Sequence, residues 1–280
     1  MSTEYDVERI DTENLRLKFF LVPWDSEIAG QPVAELKEIE LLGREKAYND
    51  YEGFRGWLSE HKVLLCSCRV AQERIAEIMF LEDQGFRFIE LNYRPRLTTV
   101  SKLEFPQEQI TVELANDGDR EALASIASRA FPYGRFHQDP RVAAGLGDRR
   151  YRTWLWNGFR NSRQQVVKCL LEGEVVGFFV AEYPEAGHCF WSLCALEPSF
   201  QGQGLGKRVW KAMLRWHQVQ GIDTVSTSIS SHNVPVLNLY ASLGFRFAAP
   251  TVTLHWMPAA ARDRIEAGSR KRSVGEGAGL

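Results

Sequence analysis

The tetrapeptide GFRF occurs twice in the chain, at Gly85–Phe88 and at Gly244–Phe247. Each copy follows an amphipathic helical run, RIAEIMFLEDQ before the first and VPVLNLYASL before the second. The glycine suits the left-handed backbone position that closes a helix, and the two phenylalanines then take alternate positions of a following strand. A repeated exit from helix to strand predicts two versions of one β/α unit in the same chain.

Composition narrows the class of protein. The chain has 280 residues, which is enough for two domains of ordinary size, and its 44% hydrophobic and 25% charged residues are typical of a globular fold. A formal net charge of −2 argues against a basic field that would recruit nucleic acid. No apolar run approaches the roughly 20 residues of a membrane span, and the acidic start MSTEYDVERID does not resemble a secretory signal. We expect a cytoplasmic protein with no nucleic-acid or membrane partner.

The cysteines indicate a reducing compartment. All five lie in strand-like apolar stretches, at Cys66, Cys68, Cys169, Cys189 and Cys194. An odd number of thiols in such surroundings favours reduced, buried side chains. Because no second cysteine pair or histidine cluster accompanies the first two, we expect no metal site.

A polar, proline-bracketed stretch, RPRLTTVSKLEFPQEQ, predicts a boundary between domains. We assign residues 1–100 to an N-terminal domain, 101–110 to a linker, 111–258 to a second domain and 259–280 to a partly disordered tail. In the second domain, Asn116 or Asp117 is expected to cap a helix. The strands QVVKCLL and VVGFFVAEY, joined by EGE, predict an antiparallel hairpin.

The most informative stretch is QGQGLGKRVWKAML, which begins at Gln201. It follows a predicted strand and opens a helix whose buried stripe is Leu205, Val209, Met213 and Trp216. Closely spaced glycines let backbone N–H groups approach an anion, and the helix N-terminus adds about half a positive charge there. The pattern therefore predicts a phosphate-binding loop, although a glycine-rich helix entry without a ligand has the same appearance.

Two better-known phosphate loops do not fit this stretch. A dinucleotide-binding loop requires an early GxGxxG within a parallel unit, whereas this loop lies late in the chain after predicted hairpin strands. Lys207 lies in the first helical turn, but the GxxxxGK[ST] spacing of a nucleoside-triphosphate site is missing.

The segment LCALEPSFQGQGLGKRVWKAML resembles the acetyl-CoA signature of the GNAT N-acetyltransferase superfamily, with Gln201, Gly204 and Gly206 at the pattern positions. The later block NVPVLNLYASLGFRF is similar to that superfamily's N-x-x-A-x-x-L-Y-x-x-x-G-F. Val236 replaces the usual small residue there. The residues that match are Asn233, Leu239, Tyr240, Gly244 and Phe245. The resemblance covers Thr111 to Pro258.

The resemblance implies an α/β (α+β) fold with two domains. The C-terminal GNAT domain would hold a mixed, mostly antiparallel, splayed sheet flanked by helices. Acetyl-CoA would be its cosubstrate, and Tyr240 the general acid that protonates the leaving sulfur. The residues implied to bind acetyl-CoA are Leu193, Cys194, Ala195, Gln201, Gly202, Gln203, Gly204, Leu205, Gly206, Lys207 and Asn233. The N-terminal half would be a degenerate GNAT-like copy without acetyl-CoA, since nothing before Gly85 resembles QGQGLG.

Three finer features are similar to the dTDP-fucosamine acetyltransferase group: the segment WDSE at Trp24–Glu27, the loop GRFHQDPRV and the extra N-terminal half. That group acetylates an amino sugar carried on a nucleotide. The resemblance implies that Arg135, His137 and Arg141 bind the substrate, because arginine makes bidentate contacts with phosphate. A solvated loop with internal salt links would have the same sequence.

Several points stay open at the level of sequence. His188, Glu182, His137 or a base relayed through water could take the proton of the amine. The leading function is an N-acetyltransferase for the primary amine of a small acceptor. A protein N-terminal or lysine acetyltransferase and a non-catalytic acyl-CoA-binding module are the alternatives. The sequence leaves the oligomeric state undecided, with a homodimer among the options.

Overall fold

The computed structural model of the protein describes residues 6–106 and 109–259. The chain divides into two compact units. Unit 1 comprises the chain up to Leu91, the segment Arg135–Leu146 and the chain from Thr251 onward; unit 2 comprises Asn92–Gly134 and Gly147–Pro250.

These units differ from the domains expected from the sequence in two ways. Residues 92–110, expected to end the first domain and to link the two, lie in unit 2, where Val100 N–H donates to Asp223 O at 2.9 Å. The segment 135–146 and the last strand lie in unit 1 instead of the second domain. Sheet pairing places the last strand in unit 1, because its Leu254 lies opposite Cys68 of that unit. The tail expected at 259–280 falls, from residue 260, outside the described residues.

The first part of the described chain, up to the end of the first GFRF strand, alternates strands with short helices. In chain order its elements are β1 (Glu8–Asp11), β2 (Leu15–Leu21), α1 (Pro23–Ala29), β3 (Val33–Leu41), α2 (Arg44–Asp50), α3 (Glu52–Glu60), β4 (Leu65–Ala71), α4 (Ile75–Asp83) and β5 (Arg87–Tyr93).

The remainder of the described chain also contains both strands and helices, and several of them are longer. Its elements are β6 (Arg96–Leu97), β7 (Thr111–Leu114), α5 (Arg120–Arg129), α6 (Arg135–Gln138), α7 (Leu146–Arg160), β8 (Gln164–Leu171), β9 (Glu174–Glu185), β10 (His188–Leu196), α8 (Leu205–Val219), β11 (Thr224–Thr227), β12 (Ile229–Ser230), α9 (Val234–Ser242) and β13 (Thr251–Trp256).

Each unit is built on a mixed sheet, as expected for the fold class. In unit 1 the strand order is β1-β2-β3-β4-β13-β5, with β3 and β4 parallel and β4 and β13 antiparallel. In unit 2 the order is β6-β11-β10-β9-β8-β7, and β10–β11 is the parallel pair. The predicted β8–β9 hairpin is confirmed, and its turn residues Glu172 and Gly173 both have positive φ, which suits a two-residue hairpin turn. Asn116, one of the two expected candidates, caps the short 3-10 turn Asp117–Asp119 that leads into α5, whereas Asp119 is the residue that precedes α5.

The two GFRF copies close their helices with the same hydrogen bonds. After α4, Gly85 has φ 92°, and Phe86 N–H donates to Leu81 O at 2.9 Å. After α9, Gly244 has φ 87°, and Phe245 N–H donates to Tyr240 O at 3.0 Å. Both are Schellman endings, which need a residue that tolerates the left-handed region.

The elements before the two copies are similar, whereas the elements after them differ. In unit 1 helices α2 and α3 connect the parallel strands β3 and β4, and in unit 2 helix α8 connects β10 and β11. Strand β5 comes directly after the first copy. The second copy makes only an isolated bridge, between Arg246 and Arg96, and the next strand, β13, joins the sheet of unit 1. The expectation of a strand directly after both copies is therefore wrong for the second.

The cores lie against the sheet faces. In unit 1 one core packs α2, α3 and α4 on the sheet through aromatic side chains such as Phe54 and Phe80, and both are fully buried. In unit 2 a core around Trp191 packs against α8 and α9, and a second around Phe178 packs against α5 and α7. All five cysteines are free thiols. No helix among the described residues combines the length and the apolar character needed to cross a membrane.

Helix α8 carries a histidine that is fully buried in the core of unit 2. His217 Nε2 accepts a hydrogen bond from Trp191 Nε1–H at 2.9 Å, which requires the neutral ring. Burial lowers the pKa of His217 from 6.5 to about 4. Between these values the unfolded chain binds a proton that the folded chain does not.

We therefore expect the free energy of unfolding to fall as the pH is lowered from about 6.5 toward 4, because protons favour the unfolded chain in that window. His217→Gln keeps an acceptor for Trp191 and removes the titration, so its urea midpoint should change less between about pH 7 and pH 5. His255 in unit 1 is also buried, and this burial lowers its pKa to about 4. Its titration should therefore keep part of the pH dependence of stability in the His217→Gln variant. Equal slopes in variant and wild type would contradict the prediction.

Candidate acetyl-CoA site

The site in unit 2 begins where two parallel strands separate. β10 pairs with β11 only from His188 to Trp191, whereas its antiparallel pairing with β9 continues to Leu196. Thr227 Oγ1 donates to Trp191 O at 2.8 Å and forms the last link between β10 and β11. Beyond it the strands diverge and open a wedge on that side of β10.

A bulge lies at the apex of this wedge. The register of β10 against β9 shifts between Trp191 and Leu193, so Ser192 is the extra residue. A bulge twists a strand and re-aims the groups beyond it. On the wedge side, no strand within the described part of the chain pairs with Leu193, Cys194 or Ala195. Their backbone groups on that side are therefore left without a strand partner.

The glycine-rich loop comes next and leads into α8. Gly202 and Gly204 have φ 76° and 75°, and a Cβ at either position would meet open space. Gly204 is the residue before α8, and no side chain caps the helix there. The first backbone N–H groups of a helix lack intrahelical acceptors, and they carry the positive end of the helix dipole. The loop is exposed and presents these donors to an anion such as the diphosphate of CoA.

The remaining residues of the loop have distinct roles. A Cβ at Gly206 would lie 3.4 Å from Leu196 Cδ1 and 3.7 Å from Leu239 Cδ2, which is ordinary van der Waals contact, so packing alone does not require a glycine here. The side-chain amides of the two glutamines brace the loop from within: Gln201 Nε2 donates to Leu196 O at 3.3 Å and Gln203 Nε2 to Ser199 O at 2.8 Å. Lys207 is exposed in the first turn of α8.

Helix α9 brings the expected general acid to the diverging strand. Asn233 caps the helix, and its Oδ1 accepts from Val236 N–H at 3.4 Å. Further along the same helix, the Tyr240 hydroxyl lies 3.3 Å from Cys194 Sγ on β10. Tyr240 is buried, and this burial together with Cys194 raises its pKa well above 10. The hydroxyl is therefore protonated at neutral pH.

The comparisons with known proteins agree with this geometry. The model of the acetyltransferase (GNAT) family matches residues 121–245. Residues 121–245 form a GNAT acetyltransferase domain. Acetyl-CoA is the cosubstrate of that family, and the matched residues are less than half of the chain.

Individual relatives share the domain at low identity. The spore coat polysaccharide biosynthesis protein SpsD of Bacillus subtilis (strain 168) is 25% identical over 128 residues, which are 46% of this chain and 44% of SpsD. The aligned part is thus less than half of that relative. A GCN5-related N-acetyltransferase from Sphaerobacter thermophilus matches in fold with a TM-score of 0.61 at 12% identity, covering 88% of this chain and 81% of that one.

A tandem GNAT protein from the clavulanic acid biosynthesis pathway matches at a TM-score of 0.60 and 13% identity, covering 87% of this chain and 79% of that one. These likenesses concern the fold and extend over both units. They agree with the two GNAT-like halves expected from the repeated GFRF.

The residues expected to bind the acceptor belong to unit 1, whereas the glycine-rich loop belongs to unit 2. Arg141 forms a buried ion pair with Asp139, with Nε at 2.9 Å from Oδ1 and Nη2 at 2.8 Å from Oδ2. His255 Nδ1 lies 2.9 Å from Asp139 Oδ2. Although burial opposes it, the contacts with His255 and Arg141 lower the pKa of Asp139 well below its usual range. We call Asp139, Arg141 and His255 the Asp139 cluster.

The cluster changes the interpretation of the GRFHQDPRV loop. Each arginine of the segment faces a carboxylate. Arg141 pairs with Asp139, and Arg135 Nη2 lies 3.9 Å from Oδ2 of the buried Asp25. The Arg141 side chain, 8% exposed, also donates to His255 O at 3.1 Å. The internal salt links that the sequence allowed are thus present. His137 lies in α6 on the same segment.

Sequence reasoning missed two features of the GNAT domain. The hydroxyl of Thr227 defines the apex of the wedge, and Cys194 lies against the Tyr240 hydroxyl. Strand alternation placed Thr227 on the same face as Val225, but no motif distinguished it. The pairing of β10 with β11 identifies the role of Thr227, and the packing of α9 on β10 reveals the contact of Cys194 with Tyr240.

We expect Gly204→Glu to weaken acetyl-CoA binding at least about tenfold, because the carboxylate would lie beside the CoA diphosphate and compete for the N–H groups. The matched control is Gly221→Glu, at the opposite end of α8. Gly221 has φ 77° and equally open space, so it carries the same strain and charge. Calorimetry should give near wild-type affinity for the control. Equal affinities in both variants would contradict the assignment of this loop.

Proposed function

We propose that the protein transfers the acetyl group of acetyl-CoA to the primary amine of a nucleotide-linked amino sugar. The observation that carries the proposal is the convergence of three groups in unit 2. These are the uncapped start of α8, the unpaired backbone of β10 beyond the wedge apex, and the Tyr240 hydroxyl beside Cys194. Together they supply a site for a diphosphate, donors for a thioester carbonyl and an acid for the leaving sulfur.

In this proposal the amine attacks the thioester directly. A backbone N–H between Leu193 and Ala195 donates to the carbonyl oxygen and stabilises the negative charge that develops there. The pantetheine arm enters between β10 and β11, and Asn233, which begins α9, contacts it. Tyr240, which is protonated at neutral pH, then gives its proton to the sulfur as the C–S bond breaks.

Two observations support a sugar acceptor. SpsD carries the description of a spore coat polysaccharide biosynthesis protein, and its match covers 46% of this chain. In unit 1, the two segments that resemble the dTDP-fucosamine acetyltransferase group are neighbours, since Arg135 Nη2 lies 3.9 Å from Asp25 of the WDSE segment. We assign Arg135 and His137 to acceptor contacts. Arg135 Nε, buried and without a hydrogen-bond partner among the described residues, is available for such a contact.

The Asp139 cluster suggests a different part for Arg141. Its charge is neutralised by Asp139, so we assign it to hold the segment in the conformation that presents Arg135 and His137. We also propose a cytoplasmic reaction, in keeping with five free thiols.

An acceptor panel tests the function. The panel comprises a TDP-linked amino hexose, the corresponding free amino hexose, a peptide with a free N-terminus and a lysine peptide, each with saturating acetyl-CoA. We expect the nucleotide-linked sugar to have the highest kcat/KM, by at least about tenfold over the free sugar, because charge-assisted hydrogen bonds to the diphosphate contribute about 1.5–3 kcal/mol. Thiol release and product mass are measured.

The other results of the panel would each contradict the proposal. Acetylation of peptides alone would make the chain a protein acetyltransferase. Tight acetyl-CoA binding without thiol release for any acceptor would make it a non-catalytic acyl-CoA-binding module.

Tyr240→Phe should lower kcat by about 10²–10⁴-fold with little change in acetyl-CoA affinity, because the hydroxyl acts on a thiolate that forms late in the reaction. Tyr183→Phe is the matched control within unit 2. The Tyr183 hydroxyl donates to Gln165 Oε1 at 3.1 Å and has no part in the proposed chemistry. Rate constants and calorimetry are compared under saturating substrates. An unchanged kcat for Tyr240→Phe would remove Tyr240 from the mechanism.

A further inference from the structure

Three polar side chains of unit 2 form a continuous chain that the proposed chemistry has not used. His188 Nε2 lies 2.7 Å from Ser226 Oγ, and His188 Nδ1 lies 3.3 Å from Glu185 Oε1. The His188 side chain is 18% exposed and that of Glu185 is 70% exposed. The series of hydrogen bonds thus leads from the half-buried hydroxyl of Ser226 on β11 to the exposed carboxylate of Glu185.

The inner end of this chain lies next to the wedge apex. Ser226 is opposite Phe190 in the parallel pair, one residue before Thr227, where β10 and β11 separate. A strand rises about 3.3 Å per residue, so Ser226 is within reach of a group held at the apex. An amine positioned to attack a thioester there lies within hydrogen-bond range of Ser226 directly or through one water.

The hydrogen-bonded side chains of Ser226, His188 and Glu185 lie on the sheet face opposite the proposed general acid. Val225 belongs to the core under α8 that also contains Tyr240, so the alternation of strand side chains points Ser226 to the other face. Trp191 is in that same core, and His188 is on the Ser226 face. The proposed acid and the hydrogen-bonded side chains thus approach the apex from opposite faces of the sheet.

The other bases that the sequence allowed are placed less well. Glu182 lies on the same face, but its Oε1 accepts from Gln164 Nε2 at 2.6 Å, and no hydroxyl or imidazole among its described contacts extends it toward β11. His137, in unit 1, is assigned to contacts with the acceptor instead.

We propose that Ser226, His188 and Glu185 are a proton relay that deprotonates the acceptor amine. Ser226 contacts the amine, and His188 and Glu185 are positioning residues that act through it. The proposal rests on acetyl transfer as the proposed function. It does not depend on which amine is the acceptor.

The proton transfers balance. Ser226 Oγ takes a proton from the ammonium group and passes its own to His188 Nε2, and Glu185 stabilises the imidazolium until the proton reaches solvent. The neutral amine then forms the C–N bond as the C–S bond breaks. The second amine proton replaces the one that Tyr240 gives to sulfur, so the products are the amide, the free thiol of CoA and one proton.

The relay requires one tautomer of His188. Its Nε2 must carry the lone pair that accepts from Ser226 O–H, and its Nδ1–H must donate to Glu185. The charged groups beside His188 are Glu182 and Glu185 on β9 and Asp223 just before β11, and all three are acidic.

Kinetics of Ser226→Ala and His188→Gln test the relay with any amine that the wild type acetylates. We expect kcat/KM for the amine to fall by about 10²–10⁴-fold at neutral pH and to recover as the pH approaches the pKa of the amine itself. Glu182→Gln is the control and should keep the wild-type pH profile. Calorimetric affinity for acetyl-CoA should be unchanged in all three, which distinguishes lost proton transfer from misfolding.

Two results would overturn the relay. One is an unchanged pH profile in His188→Gln together with a shifted one in Glu182→Gln. The other is an acetyl adduct on Ser226 after reaction with acetyl-CoA alone, which would make Ser226 a covalent nucleophile.

A nitrogen-15 NMR titration of the histidines separates this proposal from the proposed function, because it needs no acceptor. His188 in the complex with acetyl-CoA should be the Nδ1–H tautomer, and Ser226→Ala should shift its titration. An Nε2–H tautomer would overturn the relay even if acetyl transfer is observed. If no amine is acetylated but the Nδ1–H tautomer and the shift are found, acetyl transfer fails as the function while the proton path is retained.

Discussion

The hydrogen bond from Thr227 Oγ1 to Trp191 O marks the place where β10 and β11 separate, and the candidate site of the GNAT domain depends on that separation. On one side of it β10 and β11 form an ordinary parallel pair, and on the other they part with a bulge at Ser192. Parallel strands connected by a helix normally stay paired along their length, because unpaired backbone groups are costly when buried. The wedge is stable only because a ligand or solvent can satisfy the free groups of β10. The binding site is thus an interruption of the sheet.

The same separation distributes the chemistry between the two faces of the sheet. Cys194 and Tyr240 lie on the α8 side, where burial keeps the phenol protonated. Ser226 and His188 lie on the other side, in partial contact with solvent. The proposed acid and the proposed relay therefore lie on opposite faces of the sheet.

Unit 1 repeats the β–α–β arrangement and the helix exit but not the loop. Its parallel strands β3 and β4 are connected by α2 and α3, and no glycine-rich turn precedes those helices. What unit 1 has instead is the Asp139 cluster, in which a buried aspartate is compensated by Arg141 and His255. Removing one partner of a buried pair leaves an uncompensated charge, so such a cluster fixes a segment strongly. The second half of the GRFHQDPRV loop is held in this way.

The sequence by itself determined the local features. The Schellman endings at Gly85 and Gly244, the hairpin turn at Gly173 and the loop at Gly204 each need a left-handed residue at one position, and this need is local. Tertiary structure decided the rest. The inclusion of β13 in the sheet of unit 1, the contact of His255 with Asp139 and the contact of His188 with Ser226 all join residues far apart in the chain. Charge and alternation allow many partners for such residues, and only the packing of strands and helices selects one.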